Sequence, residues 1–169
     1  MELEKVLLKR RSIRKFTDEP VSLEDIEKIL YFAMTAPSAC NKQPWEFYVI
    51  QNAEVLEKIK KVSLFSRHNA PLAIVVAGNT SHSLPLALSD YWIQDCSSAI
   101  SYMLLEITNL NLGAVWCGLH PQKTPVKRTK EILNLGNNII PLGLILIGHS
   151  AEEKEEKPKY NESKVHYIK

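Results

Sequence analysis

One short connection, residues 36–48 (APSACNKQPWEFY), carries more polar side chains than a connection needs. It follows a helix-like segment and precedes a strand-like one. Amides and hydroxyls held by prolines present fixed hydrogen-bond donors and acceptors. Ser38, Asn41 and Gln43 could therefore recognise the edge of a planar heterocycle, with the following proline and tryptophan as anchors.

Cys40, in the same loop, could instead be a nucleophile. That chemistry requires a nearby base and a lowered thiol pKa. No histidine lies close to Cys40 in the sequence, although a fold could bring one to it. We interpret Cys40 as a small packing residue.

A second candidate site is the basic turn KRRSIRKF, in which Arg10, Arg11, Arg14 and Lys15 fall within six residues around Ser12. Guanidinium groups, a hydroxyl and free backbone amides are the donors that hold a phosphate best. The alternative is a solvated basic helix end, where positive charge interacts favourably with the helix dipole. These residues alone favour the alternative.

Several catalytic and nucleotide-binding motifs do not occur in the sequence. GxGxxG and GxxxxGK[ST] are absent, as are GxSxG and HExxH. The five histidines do not cluster, and Cys117 with His120 is the nearest approach to a ligand pair. A structural zinc needs four ligands, so we predict no metal site.

The composition is that of an ordinary globular protein of 169 residues, with 21 Lys+Arg against 19 Asp+Glu and a net charge of +2. This balance argues against nucleic acid as a partner. Apolar runs such as PLGLILIG fall far short of the ~20 residues that span a bilayer. Three cysteines without a CxxC pair, and no signal peptide, predict a cytoplasmic protein with reduced thiols.

The hydrophobic pattern predicts alternating helices and strands, hence an α+β or α/β sheet covered by helices. A charge-poor helix beginning at Ser89 is the longest, which indicates packing on more than one side. Residues 149–169 are almost entirely polar, as in a free tail. The predicted helices cover 3–9, 23–33, 52–64, 89–107 and 125–133, and the predicted strands cover 45–51, 72–77, 113–119 and 142–147.

Two of these elements carry a more specific expectation. Ser22, with Asp25 three residues on, predicts the cap of the second helix, whose apolar stripe toward the core includes Leu23. The continuous apolar run 72–77 predicts a strand buried on both faces of the sheet.

Taken together, the basic turn and the loop resemble the nitroreductase family of FMN-dependent oxidoreductases. The shared pattern is RRSIRKF near the N-terminus, then a helix, then PSxxNxQPW leading into a strand. The long central helix followed by LGAVWCGLHP, and EKPKY near the C-terminus, extend the resemblance over nearly the whole chain. The family resemblance implies an α+β fold with a central mixed or antiparallel sheet, formed by a single domain, 1–169.

The resemblance also implies which residues bind FMN. Those at the phosphate and ribityl chain would be Arg10, Arg11, Ser12, Arg14, Lys157 and Lys159. Those at the flavin ring would be Pro37, Ser38, Ala39, Asn41 and Gln43 from the partner subunit, with Trp116 and the backbone amides of Gly118 and Leu119 facing N5 and O4.

The resemblance further implies an intertwined homodimer in which residues 149–169 pack on the partner subunit. NADH or NADPH would reduce the flavin, and a nitroaromatic, quinone or similar small molecule would be reduced next in the same cleft, giving ping-pong kinetics. No side chain would serve as nucleophile or general base, because the flavin N5 carries the chemistry. Two alternatives remain: a flavin storage or sensor protein without turnover, and a family relative with dehalogenase-type or flavin-fragmenting chemistry.

Overall fold

The structure is a computed structural model that describes residues 1–156 and 159–169. The predicted alternation of helices and strands is confirmed. The elements, in chain order, are α1 (Leu3–Lys9), α2 (Leu23–Ala33), β1 (Trp45–Ile50), α3 (Ala53–Ile59), β2 (Leu72–Asn79), α4 (Tyr91–Asn109), β3 (Gly113–Gly118), α5 (Lys123–Leu133) and β4 (Ile139–Gly148).

The four strands form one sheet in the order β1-β2-β4-β3. All three strand pairs are antiparallel, so the fold is α+β and the α/β alternative is wrong. The two central strands are rich in β-branched and leucine side chains, and every residue of β2 is buried. Such continuous apolar runs are typical of strands covered on both faces.

The sheet separates two hydrophobic clusters, because successive side chains of a strand point to opposite faces. Ile74 and Val76 of β2 face the cluster formed with α2 and α4. Val75 faces the second cluster, which includes Ile59 of α3 and the partly buried Val126 of α5. The long helix α4 thus lies in the core on one side of the sheet, as its charge-poor sequence predicts.

The predicted N-terminal cap of α2 is confirmed. The Ser22 hydroxyl accepts a hydrogen bond from the Asp25 N–H at 3.0 Å, and α2 begins at the next residue. Leu23, predicted to face the core, is 65% exposed because it occupies this first turn.

Several predicted boundaries are wrong, including the starts of α5, at Lys123 rather than 125, and of β4, at Ile139 rather than 142. Helix α3 ends at Ile59 rather than near Leu64, since Ser63 and Ser66 form a capping box that starts a separate turn over Leu64–Ser66. Helix α4 begins at Tyr91 rather than Ser89, because a turn over Leu86–Leu88 precedes it.

The basic turn runs along the free edge of β3. Ser12 forms a parallel bridge with Ala114, and the Ile13 N–H donates to the Ala114 carbonyl at 2.9 Å. Gly113 permits this approach, because a Cβ there would lie 2.9 Å from the Cβ of Ile13. The polar loop precedes β1, at the opposite edge of the sheet.

None of the helices in residues 1–156 and 159–169 has both the length and the apolar composition needed to cross a membrane.

Packing of Trp92 against Gly78 gives a stability prediction. A Cβ added at Gly78 would lie 2.8 Å from Trp92 Cδ2, whereas one added at Gly118 would meet no heavy atom within 4 Å. We expect Gly78→Ala to lower the free energy of unfolding in urea by about 1–3 kcal/mol, through overpacking. Gly118→Ala is the matched control and should stay within about 0.5 kcal/mol of the wild type. Equal stability of the two variants would contradict this packing.

Candidate functional site

The basic segment along β3 divides its side chains between the core and the surface. Ile13 and Phe16 are buried, which ties the segment to the sheet. Ser12 and Arg14 flank Ile13 and point away from that core, and Arg10 precedes them where α1 ends in extended backbone. Arg10, Ser12 and Arg14 are two residues apart along an extended chain, so they share a side of it.

Trp116 of β3 lies between two clefts that meet the basic segment. Its side chain packs over Gly143, where an added Cβ would lie 2.8 Å from the indole Cδ1, and the residue stays 37% exposed. The first cleft, of about 510 Å³, is lined by Arg10, Ser12, Trp116 and residues of α1 and α4. The second, of about 430 Å³, is lined by Arg14, Leu64, Phe65, His68, Val115, Trp116, Cys117, Gly118 and Gln122.

The residues after β4 clamp the basic segment through its backbone. Glu152 Oε1 accepts hydrogen bonds from the N–H groups of Arg14, at 2.6 Å, and Lys15, at 3.3 Å. The Lys154 ammonium donates to the Ser12 carbonyl at 2.7 Å and lies 3.2 Å from Glu152 Oε1. These bonds hold the main chain and leave the side chains of Arg10 and Arg14 unused.

The donor set at the clefts suits an anion beside a flat ring. Within residues 1–156 and 159–169, no hydrogen bond or ion pair engages the guanidinium groups of Arg10 and Arg14. Two such groups and the Ser12 hydroxyl can bind a phosphate. Gly118 has open space beside its backbone, so a planar group can approach it next to the Trp116 indole. These residues fit FMN.

Arg11 faces elsewhere. Its Nη1 donates to the Glu155 carbonyl, and the side chain lines a groove with Lys5, Lys9 and Glu152. Arg11 therefore stabilises the contact between the basic segment and the tail rather than lining either cleft beside Trp116.

The expectation for the Leu119 amide needs correction. Leu119 is fully buried, and its N–H donates to the Leu142 carbonyl at 2.9 Å. This N–H already has a partner within the chain and does not face a ligand. Gly118, which is exposed, remains the backbone group on this strand that a ligand can reach.

The expectation that two tail lysines bind the phosphate stays a prediction. Lys159 is exposed, and Lys157 lies outside the described residues. In the described part of the tail, Lys154 is the lysine that contacts the basic segment. Nothing in the sequence distinguishes Lys154 or Glu152 from the other charges of a tail rich in Lys and Glu, so both were missed.

The polar loop has an unusual backbone. Cys40, Asn41 and Gln43 have φ values of 50°, 52° and 47°, in the left-handed region. The Ser38 hydroxyl accepts from the Gln43 N–H at 3.0 Å, and the Gln43 side-chain amide donates to Asn41 Oδ1 at 3.1 Å. The loop side chains proposed for recognition therefore hydrogen-bond within the loop and fix its conformation. Pro37, Asn41 and Gln43 remain exposed.

The loop and the clefts lie at opposite edges of the sheet. The loop leads into β1, and the clefts lie at β3, three strand spacings or roughly 14 Å away. In the described structure, the loop residues line neither cleft. Within one copy of the described chain, the loop and the clefts therefore do not form a single site.

The cysteines do not form a reactive centre with one another. Cys40 is exposed, whereas Cys96 and Cys117 are buried and free. Burial raises the pKa of Cys96 to about 12 and that of Cys117 to about 11, which keeps both thiols protonated at neutral pH. Among residues 1–156 and 159–169, no group of three or more His, Cys, Asp or Glu side chains could hold a metal ion.

Comparisons with known proteins show to which family this chain is similar. The model of the family described as "Nitroreductase family" matches residues 7–66, which hold the basic segment and the loop. A protein of Archaeoglobus fulgidus, provisionally named an NADH dehydrogenase/NAD(P)H nitroreductase, is 38% identical, with 96% of this chain and 95% of that protein covered.

Two further relatives bear on cofactor and chemistry. The structure of an FMN-dependent nitroreductase from Clostridium difficile R20291 superposes with a TM-score of 0.86 at 34% identity, covering 98% of this chain and 99% of that one. An iodotyrosine deiodinase of Haliscomenobacter hydrossis is 25% identical, with 85% of this chain and 77% of that protein covered.

The Glu152 clamp predicts a pH-dependent contribution to stability. Hydrogen bonds from the Arg14 N–H, then the contact with Lys154, lower the pKa of Glu152 below its ordinary value of 4.5. A carboxylate with a lowered pKa stabilises the fold above its ordinary pKa, and this contribution is lost as the pH falls through the folded value.

Glu152→Gln should therefore lower the free energy of unfolding at pH 7, and the difference from the wild type should shrink below pH 4.5. Urea unfolding of both proteins between pH 7 and below pH 4.5 measures this difference in the free energy of unfolding. Glu153→Gln, at an exposed neighbour, is the control and should match the wild type at pH 7. A difference that is constant with pH would contradict the clamp.

Proposed function

Because the chain belongs to the nitroreductase family, we propose that it is an FMN-dependent oxidoreductase that takes electrons from NADH or NADPH and reduces a small acceptor, such as a nitroaromatic or a quinone. One observation carries the proposal. Two guanidinium groups and a hydroxyl without partners in the described residues lie beside an exposed tryptophan and an open glycine backbone.

The basic segment binds the phosphate end of the cofactor. Arg10 and Arg14 supply guanidinium donors, and Ser12 supplies a hydroxyl, all on one side of an extended chain. Pairing with β3 and the Glu152 clamp hold the backbone beneath them. The binding site is therefore formed before the anion arrives, which lowers the ordering cost of binding.

The β3 edge binds the ring. Trp116 provides an aromatic surface, and Gly118 allows a planar group to approach its backbone, since no heavy atom lies within 4 Å of the position of a Cβ. Bound FMN supplies the redox chemistry, as a carrier of electrons between a nicotinamide donor and the acceptor. The protein positions the ring and provides positive charge nearby at Arg14. Because the electron donor and the acceptor use the same cleft in turn, the kinetics are ping-pong.

The active form is a homodimer in which the loop of each subunit completes the other's site. The loop residues that line the ring from the partner would be Pro37, Ser38, Ala39, Asn41 and Gln43. Support comes from the sheet order, which separates loop and cleft within one chain. Tyr160, Tyr167 and Ile168 of the tail are 78%, 78% and 95% exposed, an apolar surface that a partner subunit would cover. Residues 1–169 would act as one domain.

Reduced thiols at all three cysteines agree with a cytoplasmic setting for this enzyme.

Reductive dehalogenation is a second candidate function, favoured by the similarity to the Haliscomenobacter hydrossis deiodinase. The flavin-binding residues do not select the acceptor, so both reactions could use the same reduced cofactor. Turnover of a halogenated phenol, measured beside turnover of a nitroaromatic at equal concentration, separates the two.

The test of the proposed function is the absorbance spectrum of the purified protein, incubated with FMN and then mixed anaerobically with NADH or NADPH. We expect a bound flavin spectrum that bleaches with at least one donor and returns when the acceptor is added. Flavin that binds but stays oxidised would support storage or sensing instead. No binding of FMN would contradict the proposal.

Arg14 gives the sharpest prediction for cofactor binding. Arg14→Ala removes a charge-assisted hydrogen bond to phosphate, worth roughly 1.5–3 kcal/mol, and should weaken FMN binding about 10- to 100-fold. Titration of flavin fluorescence measures the dissociation constant. Lys127→Ala removes an exposed positive charge on α5 and is the control. If both variants bind FMN with equal affinity, Arg14 does not contact the phosphate.

A further inference from the structure

Asp95 is a buried carboxylate with an incomplete set of hydrogen-bond partners among the described residues. It lies on α4, 4% exposed, beside the buried residues Cys96 and Trp92. Its Oδ1 accepts a hydrogen bond from the Ala39 N–H at 2.7 Å. Its Oδ2 is buried and has no hydrogen-bond partner among the described residues. A carboxylate placed this way destabilises the fold relative to an apolar side chain, so packing does not explain the residue type.

The bond to Ala39 lies at the start of the strained part of the loop. Cys40, Asn41 and Gln43 adopt left-handed backbone conformations, which residues with a Cβ adopt only at a cost. The bonds inside the loop, such as Asn41 N–H to the Ser38 carbonyl at 3.0 Å, fix its shape but not its position on the fold.

Two hydrogen bonds tie residues 37–44 of the loop to the rest of the described structure. Asp95 holds Ala39 at the near end. At the far end, the Asn79 N–H donates to the Pro44 carbonyl at 2.7 Å, and the Asn79 side chain is itself held by Glu46 at 2.6 Å. The far end is therefore fixed by strands β1 and β2, while the near end depends on the bond to one carboxylate of α4.

We propose that Asp95 is a positioning residue that holds the near end of the loop, so that Ser38, Asn41 and Gln43 are presented to the flavin in the binding conformation. This inference rests on the proposed function. It assigns to Asp95 no contact with the flavin or with the acceptor. Its effect passes through the Ala39 N–H to the loop.

The burial of the Asp95 carboxylate is consistent with a role in positioning the loop. Loss of solvation raises the pKa of Asp95, and the Ala39 N–H counteracts part of that rise. The ionised carboxylate is therefore disfavoured at this position except through its bond to the loop.

The experiment uses full-length variants that separate the bond from packing. Asp95→Leu fills similar space and removes both the buried charge and the acceptor. Asp95→Asn keeps an oxygen that can accept from Ala39. Asp90→Ala removes an exposed carboxylate that precedes the same helix and makes no capping bond, and it is the matched control.

Three quantities are measured for each variant: the thermal midpoint, hydrogen exchange of the Ala39 amide without flavin, and the dissociation constant of FMN. We expect Asp95→Leu to keep or raise the thermal midpoint, to speed exchange at Ala39, and to weaken FMN binding about 10- to 100-fold. Asp95→Asn should restore most of the affinity, and Asp90→Ala should match the wild type. A purely structural role would instead couple any loss of affinity to a fall in the thermal midpoint.

The outcomes separate this inference from the proposed function. Unchanged exchange at Ala39 in Asp95→Leu would overturn the positioning role even if FMN binds. Faster exchange with wild-type affinity for FMN would overturn the link to the cofactor. A wild-type protein that binds no FMN would overturn the proposed function and, with it, the flavin role of Asp95, whereas the exchange result would still report whether Asp95 holds the loop.

Discussion

The pairing of the basic segment with the free edge of β3 is the contact on which the candidate site depends. A short parallel bridge between Ser12 and Ala114, with the Ile13 N–H bonded to the Ala114 carbonyl at 2.9 Å, turns a charged connection into an extra edge of the sheet. Ile13 enters the core beside Gly113, and the flanking charged side chains are thereby directed to the surface beside Trp116. Without this pairing, the arginines would belong to a solvated helix end, the alternative that the residues alone favour.

The proposed binding site requires two copies of the chain. Strand order places the polar loop and the basic segment at opposite edges of one sheet. Each half of the site is rigid for its own reason: sheet pairing and the Glu152 clamp hold one, and the bonds to Asp95 and Asn79 hold the other. A cofactor bound between subunits would then stabilise the dimer by linkage, because it contacts both.

Local chemistry made much of the fold predictable. Ser22 with Asp25 marked the start of α2, and the uninterrupted apolar run of β2 marked a strand buried on both faces. Contacts between residues that are distant in the sequence could not be predicted. The family resemblance assigns the Leu119 amide to the flavin, and the sequence does not reveal that this N–H donates to the Leu142 carbonyl of the neighbouring strand β4. Glu152 and Lys154 could not be distinguished from the other Glu and Lys residues of the tail. The sequence does contain an indication of Asp95. It lies between Trp92 and Ala99 on the buried face of α4, where a carboxylate is unfavourable unless it has a specific role.

The most direct test of a flavin bound between subunits is a crystal structure of the protein grown with FMN. We expect electron density with the phosphate at Arg10, Ser12 and Arg14 of one subunit and the ring beside Gly118. The loop of the second subunit, residues 37–43, should close over that ring. Flavin density contacted by a single subunit, or lying away from the β3 edge, would contradict it.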